Sequence, residues 1–396
     1  MEISSIRSDF PILEDVIYLD SASTSLTPEP VLQAMLEYYR SYRANVGRGV
    51  YRLAQIADQR YRDAHRKVSE FIDGRDGALV FARNTTEAIN IVARGIHWRK
   101  GDGVVTTLLE HHSNLLPWLR LGRRGIRVGV IRPSIEGLID PADLERALDD
   151  RTRLVAVSQL SNALGTLLPI KEISGICRER GVSLLVDAAQ SVPHMPVSVK
   201  DIGCDFLCFS GHKMLGPTGT GALWMRVEDA IEPLLVGGGM VEDLMDQDLV
   251  VKKGFEGFEA GTPNISGGIG LGSAVDYLRR IGMEEVHRHE MRLTRRLLEG
   301  LSGIRGVEVH GNTDLEHRGG LVSFSVSGLL PQEVAMMLDH ASRISVRSGH
   351  HCCIPLMRHL GLEHGTVRAS VYLYNTEEDI DRLLEVTEQI AGMGRA

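Results

Sequence analysis

The stretch I-K-E-I-S-G-I-C-R-E-R-G-V-S-L-L-V-D, Ile170 to Asp187, reads as a helix, a stop signal and a strand in succession. Its first part has the amphipathic spacing of a helix. Gly181 follows as a C-cap, because glycine enters the left-handed conformation that ends a helix without a Cβ clash. The run V-S-L-L-V then predicts a strand buried on both faces, with Asp187 at its carboxyl end. A helix that returns the chain to an all-apolar strand is the repeating unit of a parallel sheet.

The same alternation extends outward in both directions. Further strands are predicted at 78–81 (A-L-V-F), 104–107 (V-V-T-T), 128–131 (V-G-V-I), 154–158 (L-V-A-V-S), 206–209 (F-L-C-F) and 222–225 (A-L-W-M), with helical patterns such as T-E-A-I-N-I-V-A-R-G between them. The expected fold class is α/β, a large and mostly parallel sheet covered on both faces. Composition changes near F-E-A-G-T-P-N-I-S-G-G-I-G, Phe258 to Gly270, whose glycines and proline suit a domain junction. Beyond it the pattern predicts helices over about 270–281 and 284–301 and strands V-E-V-H, L-V-S-F-S-V and V-R-A-S-V-Y-L-Y. A last helix opens at the capping box T-E-E-D, Thr376 to Asp379, and together these make a smaller α+β domain.

Bulk properties narrow the function. The 396 residues allow two or three domains, and a net charge of −8 with few aromatics argues against a nucleic-acid partner. The basic run R-L-G-R-R-G-I-R, Arg120 to Arg127, therefore reads as a solvated surface. No apolar run approaches the roughly eighteen residues of a membrane span, and M-E-I-S-S-I-R-S-D-F-P lacks the pattern of a signal peptide, so a soluble cytoplasmic protein is expected. Five cysteines make a disulfide framework improbable. Cys177, Cys204 and Cys208 fall in predicted helix or strand, whereas Cys352 and Cys353 follow G-H-H in a predicted loop.

Four strands of the large sheet end in polar residues of unlike chemistry: Glu110, His111 and His112; Ser161 and Asn162; Asp187 and Gln190; Ser210, His212 and Lys213. In open α/β sheets these carboxyl ends face the ligand crevice. Alone, a strand-end histidine is more often structural, and Asp187 suits a helix cap. Jointly, an aspartate at one strand end and a lysine at the next suit pyridoxal phosphate, whose ring nitrogen needs a carboxylate and whose aldehyde forms a Schiff base with lysine. That also explains Lys213 inside the Gly-rich turn F-S-G-H-K-M-L-G-P-T-G-T-G, since an imine carries no cation to solvate. The stretch N-T-T-E-A-I-N-I-V-A places Thr85 and Thr86 at a helix N-terminus, which suits a phosphate or simple N-capping.

The motifs Y-L-D-S-A-S, R-N-T-T-E-A-I-N, E-H-H-S-N-L-L-P-W, L-S-N-A-L-G-T, V-D-A-A-Q-S-V, F-S-G-H-K-M-L-G-P-T-G, F-E-A-G-T-P-N-I and V-R-S-G-H-H-C-C-I-P-L-M stand in order along nearly the whole chain. In these the sequence resembles the fold-type I pyridoxal phosphate enzymes of the class V aminotransferase group, and within it the SufS-type cysteine desulfurases. The resemblance implies an N-terminal arm over 1–20, a large cofactor-binding domain over 21–264 with a seven-stranded sheet, and a small C-terminal domain over 265–396. It also implies roles: Lys213 holds the cofactor and shuttles a proton, His111 stacks on the ring, Asp187 pairs with the ring nitrogen, and Gln190 bonds the phenolic oxygen. Thr86, Ser210 and His212, with Thr85 beside them, would hold the phosphate, joined by Thr262 from the second subunit of a homodimer. Asn162 and Arg368 would grip the substrate carboxylate, with Arg347 and Arg48 near the substrate.

Cys352 takes the place of the catalytic thiol, which would accept sulfur from L-cysteine as a persulfide, release L-alanine, and pass sulfur to an acceptor or iron-sulfur scaffold protein. Arg347, His350 or His351 could favour its thiolate. The sequence departs from the family pattern at Gly47 and Tyr51, where histidines are usual, at Ser21, where asparagine is usual, and at Cys353, where a small residue is usual. A selenocysteine lyase, another class V transaminase or epimerase, or a silent pyridoxal-binding assembly protein remain the alternatives, and no metal is expected at H-H-C-C because adjacent ligands crowd a tetrahedral ion.

Overall fold

Gly181 ends its helix, Ile170–Arg180, in the left-handed conformation at φ 63°, and the chain turns straight into the buried strand Ser183–Asp187. The protein is described here by a computed structural model covering residues 2–246 and 248–393. The large sheet contains β1 (Ala78–Ala82), β2 (Gly103–Thr107), β3 (Arg127–Ile131), β4 (Thr152–Ser158), β5 (Ser183–Asp187), β6 (Phe206–Ser210) and β7 (Gly221–Met225). Their spatial order is β1-β7-β6-β5-β4-β2-β3. Neighbours from β6 to β3 run parallel, and β7 runs antiparallel to both β1 and β6. All seven runs predicted from apolar patterning are strands. Their burial on both faces explains why they lack polar alternation, for β2, β6 and β7 bury every residue.

A second sheet, β8 (Val307–His310), β9 (Leu321–Val326), β10 (Arg347–Gly349) and β11 (Thr366–Ser370), is antiparallel throughout in the order β8-β9-β11-β10. The predicted strand V-R-A-S-V-Y-L-Y is shorter than its apolar run. It stops at Ser370, the partner of Leu321: Val371 N–H still reaches Gly320 O at 2.9 Å, but Tyr372 N–H turns to the Asn375 side chain. The last helix, Glu377–Met393, starts as expected: Thr376 Oγ1 accepts from Asp379 N–H while the Asp379 carboxylate accepts from Thr376 N–H.

The glycine-rich stretch before the second sheet differs from expectation. Its last residues are helical, since the helix predicted from about 270 begins at Ile265 with Asn264 as N-cap. This helix lies against Glu29–Ser41 and Arg52–Phe71, and Leu271, Ala274, Val275 and Leu278 join the core beneath the large sheet. The N-terminal segment likewise divides its contacts: Phe10 and Leu13 join that same core, while Ile17–Tyr18 pairs in parallel with Ile344–Ser345. Cys204 lies in the turn between helix and β6 rather than in either element, and all five cysteines are free. No helix among the described residues is long and apolar enough to cross a membrane.

Candidate active site

Parallel strands of one sheet present their carboxyl ends to one edge, and there the side chains predicted from four strand ends meet. Asp187, Lys213, His111, Gln190, Ser210, His212, Asn162, Thr85, Thr86 and Arg347 all line one cavity of about 170 Å³. Asp187, the last residue of β5, is buried and accepts from Ala189 N–H at 2.9 Å. Burial pushes its carboxyl upward, opposed by the Ala189 bond and by Lys213. Lys213 sits on a short turn, Gly211–Lys213, immediately after β6. Loss of water pushes its amine down to about 8 in spite of the Asp187 charge, so the free amine is reachable near neutral pH.

His111 caps the helix His112–Leu121, and its Nδ1 accepts from Ser113 N–H at 3.1 Å. Desolvation, followed by the charge of Lys213, takes it down to about 3, so the ring is neutral and carries its proton on Nε2. Beneath it lies Glu110, fully buried and bonded by Thr107 Oγ1, Asn114 Nδ2 and Ser158 Oγ. Burial pushes this carboxyl up to about 7. His212 is also neutral, desolvated down to about 4.

The opposite end of the cavity is the N-terminus of the helix Thr85–Gly95. Asn84 caps it, Thr85 N–H and hydroxyl both meet Ser210 Oγ (2.9 and 2.6 Å), and Thr86 Oγ1 lies 2.7 Å from Ser113 Oγ. Gly221 makes this approach possible, because a Cβ there would lie 2.7 Å from Asn84 Cα and from Phe209 O. Free amide groups, hydroxyls and a helix dipole at one end, with a buried carboxylate and a depressed lysine at the other, form a donor set that fits a phosphorylated pyridine aldehyde.

At the rim, Arg347 of β10 lines the cavity, and Arg368 of β11 lies directly opposite it on the neighbouring strand, behind the lining. Arg368 is fully buried: Nη1 donates to Asn162 O at 2.7 Å, and Nη2 to Ser23 Oγ at 2.8 Å and Asp20 Oδ1 at 3.2 Å, while Nε has no partner. Arg347 Nη1 donates to the same Ser23 Oγ at 3.0 Å, and its Nη2 reaches Cys352 Sγ at 3.5 Å. Two guanidiniums on one hydroxyl, with Asp20 as the only carboxylate bonded to them among the described residues, leave positive charge for an anion.

Other expected residues stand elsewhere or are engaged otherwise. Thr262 and Arg48 line a separate cavity, together with Gly47, Tyr61 and Glu259. Gln190 spends an amide N–H on Ala22 O. Asn162 Nδ2 is turned to His351 O and its Oδ1 accepts from the Cys353 thiol, so its side chain braces the cysteine segment. His351 cannot supply charge to Cys352: its ring is buried against Thr366 Oγ1, and desolvation with Arg368 and Arg347 nearby drives it far down. Cys353 is buried, and desolvation pushes its thiol well up. Ser21 bonds the Tyr374 hydroxyl, away from the cavity.

The residue that sequence reasoning missed is Ser23, which joins the two arginines. It stands in Y-L-D-S-A-S, near the N-terminus, and no local signal ties it to strands more than three hundred residues later. The Glu110 layer was visible only as one polar residue after a strand.

Comparison with known proteins gives consistent results. The family model Aminotransferase class-V matches residues 17–383. A probable cysteine desulfurase of Methanothermobacter thermautotrophicus is 48% identical over 100% of this chain and 99% of its own. The apo structure of a cysteine desulfurase from Thermococcus onnurineus NA1 superposes with a TM-score of 0.95 at 45% identity, covering 99% of both chains. The cysteine desulfurase CsdA of Escherichia coli follows with a TM-score of 0.91 at 31% identity, again over 99% of both chains.

Proposed function

The chain belongs to the class-V aminotransferase family, and from that premise we propose that it is a pyridoxal-phosphate-dependent cysteine desulfurase. It converts L-cysteine to L-alanine and retains the sulfur as a persulfide on Cys352. The observation that carries this reading is the rim: Arg347 bonds the sulfur of Cys352 and shares Ser23 with Arg368, beside a cavity floored by Asp187 and Lys213.

Pyridoxal phosphate, when bound, supplies an aldehyde for amines and a ring that draws in electrons. In this reading Lys213 holds the aldehyde end, and its Nζ, with an amine pushed down to about 8, takes the Cα proton of the substrate. Asp187 would pair with the ring nitrogen, Gln190 would bond the phenolic oxygen, and neutral His111 would cover the ring. Thr85, Thr86, Ser210 and His212 would hold the phosphate at the helix N-terminus. Arg368 and Arg347 orient the substrate carboxylate, while Asn162 acts by holding the cysteine segment. The Cys352 thiolate attacks the substrate sulfur; an S–S bond forms, the substrate Cβ–S bond breaks with its electrons passing to carbon, and protonation of Cβ, with return of a proton to Cα from Lys213, yields alanine. An external thiol then removes the outer sulfur.

The helix Ile354–His359 begins one residue after Cys353, which keeps the thiol on a short tether. A protein acceptor, in iron-sulfur cluster assembly, must therefore come to it. We place the enzyme in the cytoplasm, where its five free cysteines stay reduced. It works as a homodimer in which Thr262 and Arg48 serve the other subunit's site.

The test is incubation of the holoenzyme with cysteine and dithiothreitol, measuring sulfide and alanine together. Equal amounts are expected, and Cys352→Ser should remove sulfide release; alanine without sulfide from the unaltered enzyme rejects the reading.

A further inference from the structure

His112, the neighbour of His111 at the same strand end, lines no part of the cavity yet touches the cysteine segment twice. Its backbone N–H, free because it opens the helix His112–Leu121, donates to Cys352 O at 2.8 Å. Its ring Nε2 accepts from Ile354 N–H at 3.2 Å, the first residue of the helix Ile354–His359. The first bond is to the thiol-bearing residue itself, the second two residues further along the chain.

The segment they hold is one that would not keep its shape alone. His351 and Cys352 are both left-handed, at φ 50° and 59°, and neither is a glycine. Such a conformation is sparsely populated and persists only where the surroundings impose it. Asn162 fixes two points of it, His351 O (2.8 Å) and the Cys353 thiol (3.3 Å). Without the two His112 bonds, the chain from Cys352 to Ile354 is free to relax and carry Sγ away from Arg347.

We propose that His112 is a positioning residue for Cys352, clamping the strained turn at points that alternate with those held by Asn162, so that the sulfur stays beside Arg347 and in reach of the substrate. This rests on the reading of Cys352 as the persulfide carrier. The ring must accept a hydrogen bond, so it must be neutral. Partial burial, and then His350 nearby, move it below its ordinary value, which keeps that lone pair free.

The experiment compares the holoenzyme with His112→Ala and His112→Gln, whose terminal oxygen can replace Nε2 as acceptor. Hydrogen exchange is followed in the peptide containing Ile354, alongside sulfide production and the cysteine-induced change in the cofactor absorbance. In His112→Ala, exchange at Ile354 should quicken about tenfold or more, and turnover should fall on the order of tenfold to a hundredfold, the usual effect of misplacing a reacting atom. The cysteine concentration needed for the absorbance change should stay the same, and His112→Gln should restore both exchange and turnover. Should the alanine variant not fold, His112→Leu keeps the bulk without the acceptor and replaces it. Unchanged exchange at Ile354, or full turnover despite rapid exchange, overturns the clamp. An unaltered enzyme that forms alanine without sulfide removes the role of Cys352 and this inference with it, before any variant is measured.

Discussion

Like charges directly opposite on neighbouring strands normally destabilise a sheet. Arg347 and Arg368 hold that relation here, and both are occupied on the Ser23 side, with Asp20 Oδ1 3.2 Å from Arg368 Nη2. The pairing makes physical sense if a substrate carboxylate completes it. Arg368→Lys keeps the charge but loses the fork that bonds Asn162 O, Ser23 and Asp20 at once, so kcat/KM for cysteine should fall about tenfold or more, roughly 1.4 kcal/mol. Steady-state kinetics, read beside the melting temperature, would show an unchanged value if the guanidinium geometry were irrelevant. At this scale the sequence identified residues whose strand-end position is a local fact, such as Asp187 and Lys213. The family resemblance gave Asn162 to the substrate carboxylate, and no local pattern discloses that its amide also faces His351 O.

Among the elements, glycine within a helix has no fixed meaning until its neighbour is known. Gly272, in the helix Ile265–Ile281, lies where a Cβ would come 2.9 Å from Ala64 Cβ and 3.0 Å from Ala64 Cα, on the adjoining helix Arg52–Phe71. Gly175, in the helix Ile170–Arg180, meets nothing within 4 Å. Gly272→Ala should cost about 1–3 kcal/mol by forcing two helix backbones apart. Gly175→Ala should stabilise by about 0.5–1 kcal/mol through helix propensity alone. Chemical denaturation of both variants checks the pair, and the same sign for both would refute the packing argument. This is also why the helix expected from about 270 begins earlier, at Ile265: the glycines there that suggested a loop are in part contact points of a helix.

In the molecule as a whole, a buried pair joins the segment after β5 to the helix Met283–Gly303: His194 Nδ1 lies 3.0 Å from Glu290 Oε1, and the His194 ring meets the edge of Tyr372. Burial pushes the Glu290 carboxyl up to about 7, with His194 opposing. A carboxyl raised in the fold binds its proton more tightly there than in the unfolded chain. Its contribution to stability is therefore full below the ordinary value of 4.5 and is lost as pH rises through about 7. Glu290→Gln removes that titration, so its melting temperature should decline less than that of the unaltered protein between pH 5 and 8; parallel curves would rule the pair out as the source.

By itself the sequence determined the seven large-sheet strands, the Gly181 stop, the capping box at Thr376 and the family, since apolar runs, caps and ordered motifs are properties of neighbouring residues. Only the tertiary structure decided that Ser23 joins two arginines, that Asn162 and His112 brace the cysteine segment, and that His351 is too deeply buried to carry charge. Those facts depend on distances between residues remote in the chain and on how much water the fold excludes, and no local pattern encodes either.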